Sequence, residues 1–348
     1  MKKNKPYNYL TVASILSALS VIFMHNSSFY SYAPNIRWYA NVIIQSICCF
    51  AVPVFFMISG ATLIDYRDRY DTKTFLKKRL KKTLIPFIFW SILGIFIHLL
   101  YLKDLPDENY TPHNLIQGVF SATFVPFFWF FAHLFALYLA IPVISCINKN
   151  KRKAIFRYCI FFTLILNYLV PIITRYNLPT ITFNFALTAE SAIYFALVGY
   201  YIHNYDIKKR NRIIIYISGL IALLVTILGT FFFSHRANSL VAFLSDSVGD
   251  ITYAIFAPAV FLFIKNFFAK HQPSAKSKFA KITTFFSSYT FASYLTHYFL
   301  IALLSIPLGN SHTQWYYLPI AIPACIVFAI VTKTIFSKIP LLRHVIPD

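Results

Sequence analysis

Six ionisable side chains sit among long apolar runs where only water, a partner or a task can justify them: His25, His98, His133, Glu190, Asp250 and His297. At membrane depth an Asp, Lys or Arg costs on the order of 2.5–3.5 kcal/mol by insertion scales, so such groups need a reason. An imidazole accepts and returns a proton near neutral pH, and a carboxylate can orient it, which is the equipment of general acid–base catalysis. His25 follows an apolar run and precedes Asn26-Ser27-Ser28; taken alone it reads first as an interfacial histidine and second as a base. Glu190 lies among Ala, Ile and Phe and is expected to pair with a cation or a histidine of another segment. His133 stands four residues after Trp129, and Tyr294 three before His297, so each pair shares a helix face; hydrogen-bonded packing competes with function for both. His98 and Asp250 fall close to the ends of apolar runs, where water is available, and receive no role. Ser59 beside Gly60 suits close helix approach, with oxyanion donation as its second reading. The cations Lys78, Arg79 and Lys82 suit phosphate, whether of a ligand or of lipid headgroups.

These groups are positioned by segments that belong in lipid. The 348 residues are 58% apolar and only 12% charged, a balance that excludes a water-exposed surface. The apolar residues form ten blocks of roughly 20, the length that spans ~30 Å of hydrocarbon as helix. They cover 8–25, 39–64, 84–102, 124–147, 154–173, 183–203, 213–233, 248–268, 285–307 and 315–336. Solid rather than alternating runs exclude a β-barrel. The expected fold is therefore an all-α bundle of about ten transmembrane helices, forming a single membrane-embedded domain across residues 1–348.

Of the 32 Lys and Arg, all but Arg37, Lys103, Arg175 and Arg236 fall in inside segments if the first residues are cytoplasmic, which predicts both termini inside. The net charge of +21 is thus a topology signal; gathered on no soluble face, it gives no nucleic-acid partner. Membrane lipids are the default partners. Ser14, Ser17 and Ser20 favour a packed first helix over a cleaved leader. The basic run from Lys73 to Lys82 is expected to lie as a helix along the membrane surface, and the stretch before the fourth block to re-enter the outer leaflet. Cys48, Cys49, Cys146, Cys159 and Cys325 show no metal-type spacing and read as small apolar residues, so no metal is expected. Low acid content with abundant Lys and Ile fits a bacterial plasma membrane.

Five stretches, in order, resemble the acyltransferase-3 family of multi-span membrane enzymes that acylate surface carbohydrates. They are SVIFMH (Ser20 to His25), VPVFFMISGA (Val52 to Ala61), KKRLKKTLIP (Lys77 to Pro86), FFWFFAHLFALYLAIPVI (Phe127 to Ile144) and FASYLTH (Phe291 to His297). Two departures stand out: Ser14 where the family usually has Arg, and Phe127 where it often has His.

The resemblance implies transfer of an acyl group, commonly acetyl, from cytoplasmic acyl-CoA to a hydroxyl of a surface polysaccharide or lipid-linked oligosaccharide. For that reaction residue chemistry assigns His25 as general base with Glu190 orienting it or stabilising its imidazolium, Lys78, Arg79 and Lys82 to the CoA phosphates, and Ser59, Trp129, His133, Tyr294 and His297 to the cavity lining. A transporter or flippase of a surface-polysaccharide pathway is the competing class, since mid-depth histidines and a glutamate also suit a permeation path.

Overall fold

The computed structural model describes residues 9–27, 32–104, 111–175, 185–188, 190–244, 249–271, 273–274, 276–308 and 317–347. Lys2, Lys3, Lys5, Asp107 and Glu108 lie outside them. Every regular element among the described residues is helical. The helices are α1 (Tyr9–Asn26), α2 (Ile36–Cys48), α3 (Ala51–Leu63), α4 (Thr72–Ile97), α5 (Pro112–Phe120), α6 (Trp129–Ser145), α7 (Lys149–Thr163) and α8 (Val170–Arg175). They continue with α9 (Ser191–Asn204), α10 (Lys209–Ala237), α11 (Ile251–Lys270), α12 (Lys278–Ser287), α13 (Thr290–Leu308) and α14 (Leu318–Lys338). Nine helical segments among the described residues are long and apolar enough to cross a membrane.

The sixth expected span, 183–203, differs from the others because α9 has only 14 residues, about 21 Å of rise. Its residues from Tyr194 to Tyr200 are all buried, so the neighbouring helices and not lipid form its surroundings. A helix enclosed by protein need not match the hydrocarbon thickness. The second expected span, 39–64, is two helices, α2 and α3, meeting at Cys49–Phe50.

A surface helix over the basic run is not what forms. Asp71 caps the N-terminus of α4 by accepting from the Thr74 amide at 3.1 Å, and the helix then runs unbroken through the basic residues and Pro86 to Ile97. The hydrogen bonds to Thr74 hold the Asp71 carboxyl below its usual pKa. Together with the turn His98–Leu102 this makes about 46 Å of helix. That exceeds the hydrocarbon thickness, so the basic turns stand beyond it on the axis of the span. Pro112–Phe120, before the fourth block, forms a short helix, α5.

α1 is central, packing against α3, α11, α12, α13 and α14. α3 and α9 approach each other backbone to backbone, and two glycines permit it. A Cβ on Gly60 would stand 1.9 Å from the Ala196 carbonyl oxygen, and one on Gly199 2.1 Å from that of Met57. Gly60→Ala should therefore force two backbones apart and lower stability by about 3 kcal/mol, the upper range for overpacking. Thermal denaturation of the purified protein in detergent checks this; an unchanged midpoint would show that α3 and α9 can separate freely.

One face of the bundle is held by Arg152, which is only 3% exposed. Its guanidinium donates to the carbonyls of Ser145 and Ile147 at 2.8 Å each, to the Tyr200 hydroxyl at 3.0 Å, and to Asp65. Lys149 pairs with Asp68 nearby. These bonds bring the ends of α3, α6 and α9 to the same membrane face as the basic start of α4.

Candidate functional site

Two parallel helix faces build the site. On α1, Ser14 and His25 are eleven residues apart, three turns and about 16 Å along one face. On α13, Thr290, Tyr294 and His297 recur at i, i+4 and i+7, again one face. The faces meet at both ends: Ser14 Oγ donates to Thr290 Oγ1 at 3.3 Å, and the rings of His25 and His297 stack with centroids 5.2 Å apart.

At the Ser14 end lies a cavity of about 430 Å³. Arg79, Lys82 and Thr83 of α4, Ser59 of α3, Tyr138 of α6 and Tyr294 line part of it. The C-terminal segment closes one side through Pro347, held near α4 where Trp90 Nε1 donates to the Val345 carbonyl at 3.0 Å. Arg79 Nε is a buried donor without a hydrogen-bond partner among the described residues. Such an orphan is costly in a finished structure, and on the wall of a cavity it is placed to donate to a ligand or water. Lys78 stands elsewhere, its ammonium 4.2 Å from the centroid of the Tyr70 ring, and does not line the cavity. Ser59 donates to the Phe55 carbonyl one turn back at 3.0 Å, so its proton is already engaged and the oxyanion-donor reading loses its donor.

Tyr294 links the cavity to the histidines. Its hydroxyl donates to the Phe127 carbonyl at 2.6 Å, and its ring lies 5.9 Å from that of His297. His297 is fully buried, and its Nδ1 lies 2.7 Å from the Tyr294 carbonyl and 3.2 Å from that of Ser293. Carbonyls only accept, so Nδ1 carries the proton and Nε2 presents a lone pair. Nε2 has no partner among the described residues. His25, half-buried, stacks on Phe127 with centroids 3.5 Å apart, and Phe127 in turn stacks on His297 at 5.0 Å. Phe127 thus covers both imidazoles with a ring that can neither give nor take a proton.

Trp129, His133 and Glu190 form a separate group. His133 Nδ1 lies 2.5 Å from Glu190 Oε1, and the Trp129 indole packs edge-on to the imidazole at 5.3 Å. Glu190 also caps α9 through the Ala192 amide at 3.3 Å. No hydrogen bond joins Glu190 to His25, so the glutamate meets a histidine of another helix as expected, but a different one. Trp129 is 37% exposed and the pair beneath it is partly open.

His98, given no role from the sequence, has three polar partners. Its Nδ1 meets Asp104 at 2.8 Å, and its Nε2 lies 2.7 Å from the Tyr298 hydroxyl and 2.9 Å from the Phe124 carbonyl. Tyr298 follows His297 and packs edge-on to Phe127 at 5.6 Å, so this network borders the histidine pair. The available signal was Asp104, an acid six residues from a histidine at a span end. Among the described residues no three His, Cys, Asp or Glu side chains converge on a metal-sized site.

A family model described as an acyltransferase domain matches residues 7–334. No curated protein and no solved structure matches the chain. The match takes in α1 through nearly all of α14, and with it both helix faces that carry the paired histidines and the cavity below them. The chain accordingly belongs to the acyltransferase-3 family of multi-pass membrane acyltransferases.

Proposed function

We propose that the protein transfers an acetyl group from cytoplasmic acetyl-CoA to a hydroxyl of a surface polysaccharide or lipid-linked oligosaccharide, in a bacterial plasma membrane and with both termini inside. The observation that carries this reading is the continuous strip from an unpartnered Arg79 Nε, past Ser14 and Tyr294, to two adjacent imidazoles. An anionic donor suits the basic end, because guanidinium pairs with phosphate through charge-assisted hydrogen bonds. The cavity is sized for the thioester arm of the donor, with the nucleotide left at the basic mouth. Ser14, in place of a larger cation, leaves the phosphate contacts to Arg79 and Lys82.

In this reading the thioester carbonyl reaches the histidine pair from one side and the acceptor hydroxyl from the other. His25 takes the hydroxyl proton as the oxygen attacks the carbonyl; the tetrahedral intermediate then collapses, releasing the CoA thiolate, which leaves with that proton. His297, its ring stacked 5.2 Å from that of His25 and its Nε2 lone pair facing no competing donor among the described residues, orients the His25 ring as it takes and returns the proton. That is the part first assigned to Glu190. Glu190 acts instead through His133, beneath an indole of the kind on which sugar rings pack.

The purified protein in nanodiscs, given acetyl-CoA and a sugar acceptor, is expected to release thiol only when both are present. A transporter or flippase would release none. Arg79→Ala should raise the KM for acetyl-CoA about tenfold, the value of one charge-assisted hydrogen bond, with the KM for the sugar unchanged. The reverse pattern would remove Arg79 from the donor side.

A further inference from the structure

A second cavity, about 540 Å³, shares no lining residue with the first. α9 and α11 form its floor through Val198, Ile202, Ala254 and Pro258, and α7 and α10 form its walls. Its mouth is on the face that carries the Arg152 network, where α7 begins and α9 ends. Three cations stand there, Lys153, Arg157 and Lys208, against the single carboxylate of Asp206. No ion pair engages those cations among the described residues; Lys153 Nζ lies 5.5 Å from the centroid of the Tyr205 ring. α10 starts at this mouth, and Lys208 at its N-cap provides no side-chain acceptor for the first amides. Free amides, the positive end of the helix dipole and three cations together form a receptor for an anion.

Below the mouth the chemistry changes. The walls become apolar, and the slot runs along α10 from Lys208 to Ser218, about 15 Å of rise, which is the depth of one hydrocarbon leaflet. Free phosphate has no use for such a slot, and a neutral lipid has no use for such a mouth. We propose that the cavity is a binding site for one anionic phospholipid of the leaflet into which the basic face opens. Lys153, Arg157, Lys208 and the first amides of α10 hold its phosphate, and one acyl chain fills the slot between α7 and α10. The lipid then serves as a wedge that completes the packing of α9, the helix whose other face meets α3 at Gly60 and whose N-terminus carries Glu190. The site is independent of what the enzyme transfers.

Native mass spectrometry on the full chain, released from nanodiscs of mixed phosphatidylglycerol and phosphatidylcholine, tests this. One retained phosphatidylglycerol per chain is expected. The variant Lys153→Ala/Arg157→Ala/Lys208→Ala should lower retention about tenfold, and Ser218→Phe, which fills the slot and leaves every cation in place, should lower it as much. Lys276→Ala/Lys278→Ala/Lys281→Ala, which removes equal charge from an exposed stretch, should retain the lipid. Millimolar glycerol phosphate should not displace it. Equal retention by the first variant, equal capture of phosphatidylcholine, or displacement by glycerol phosphate alone would each overturn the proposal. If the triple variant fails to elute as a single species, Arg157→Gln is read in the same way.

Discussion

His25→Ala, produced at wild-type abundance, is expected to lose 10²- to 10⁴-fold in the rate of acyl transfer, the range for a general base held against its substrate. The loss should fall on kcat with little change in the KM for the acyl donor, because His25 stands about 16 Å along α1 from Ser14 at the basic end of the site, where Arg79 and Lys82 line the cavity. His297→Asn provides the contrast. An amide can still donate to the Tyr294 carbonyl, so the packing survives, but it carries no basic nitrogen beside His25. A smaller fall in kcat is expected, with the pH profile displaced, since the ionisable ring stacked on His25 is then missing. Transfer of radiolabelled acetyl to surface glycan in whole cells, with kcat and KM measured in nanodiscs, decides the matter. Undiminished transfer by His25→Ala would remove that residue from the mechanism.

Arg152→Met is expected to be the most damaging single change to stability, by about 3 kcal/mol or more, because it leaves Asp65 and two backbone carbonyls facing an apolar side chain. Lysine should rescue little, since an ammonium cannot reproduce a fork that reaches Ser145, Ile147, Tyr200 and Asp65 together. Removing the stranded carboxylate as well, in Arg152→Met/Asp65→Leu, should recover part of the loss, a coupling that independent sites would not show. Thermal midpoints of the three detergent-solubilised variants, read by the monodisperse fraction after heating, provide the comparison. A double variant no more stable than Arg152→Met would mean that Asp65 carries no uncompensated cost.

Particular residues show where sequence reading succeeds and where it stops. The apolar blocks are legible because lipid imposes a single rule on the backbone, so length and hydropathy are enough to locate spans. α9 escapes that rule by being enclosed in protein, and α4 escapes the division between surface helix and span because a cap at Asp71 and strong helix formers continue through the basic run. The chemistry-bearing residues were also legible as types, since an ionisable group in an apolar run stands out. Their partners were not. Glu190 was set beside His25 but meets His133, and His98 was passed over although it touches Asp104 and Tyr298.

From its sequence alone the chain's helical, membrane-spanning character, the motifs of its family and the identity of its candidate bases were determined, because each depends on local composition or short-range spacing. Which imidazole meets which carboxylate, that Ser59 has its proton engaged, and that Arg79 Nε and His297 Nε2 find no partner among the described residues, at opposite ends of one strip, were decided only by the tertiary structure. Those facts depend on the rotation of each helix about its own axis. That rotation is set by contacts such as Gly60 against Ala196 and Ser14 against Thr290, between residues far apart in the chain.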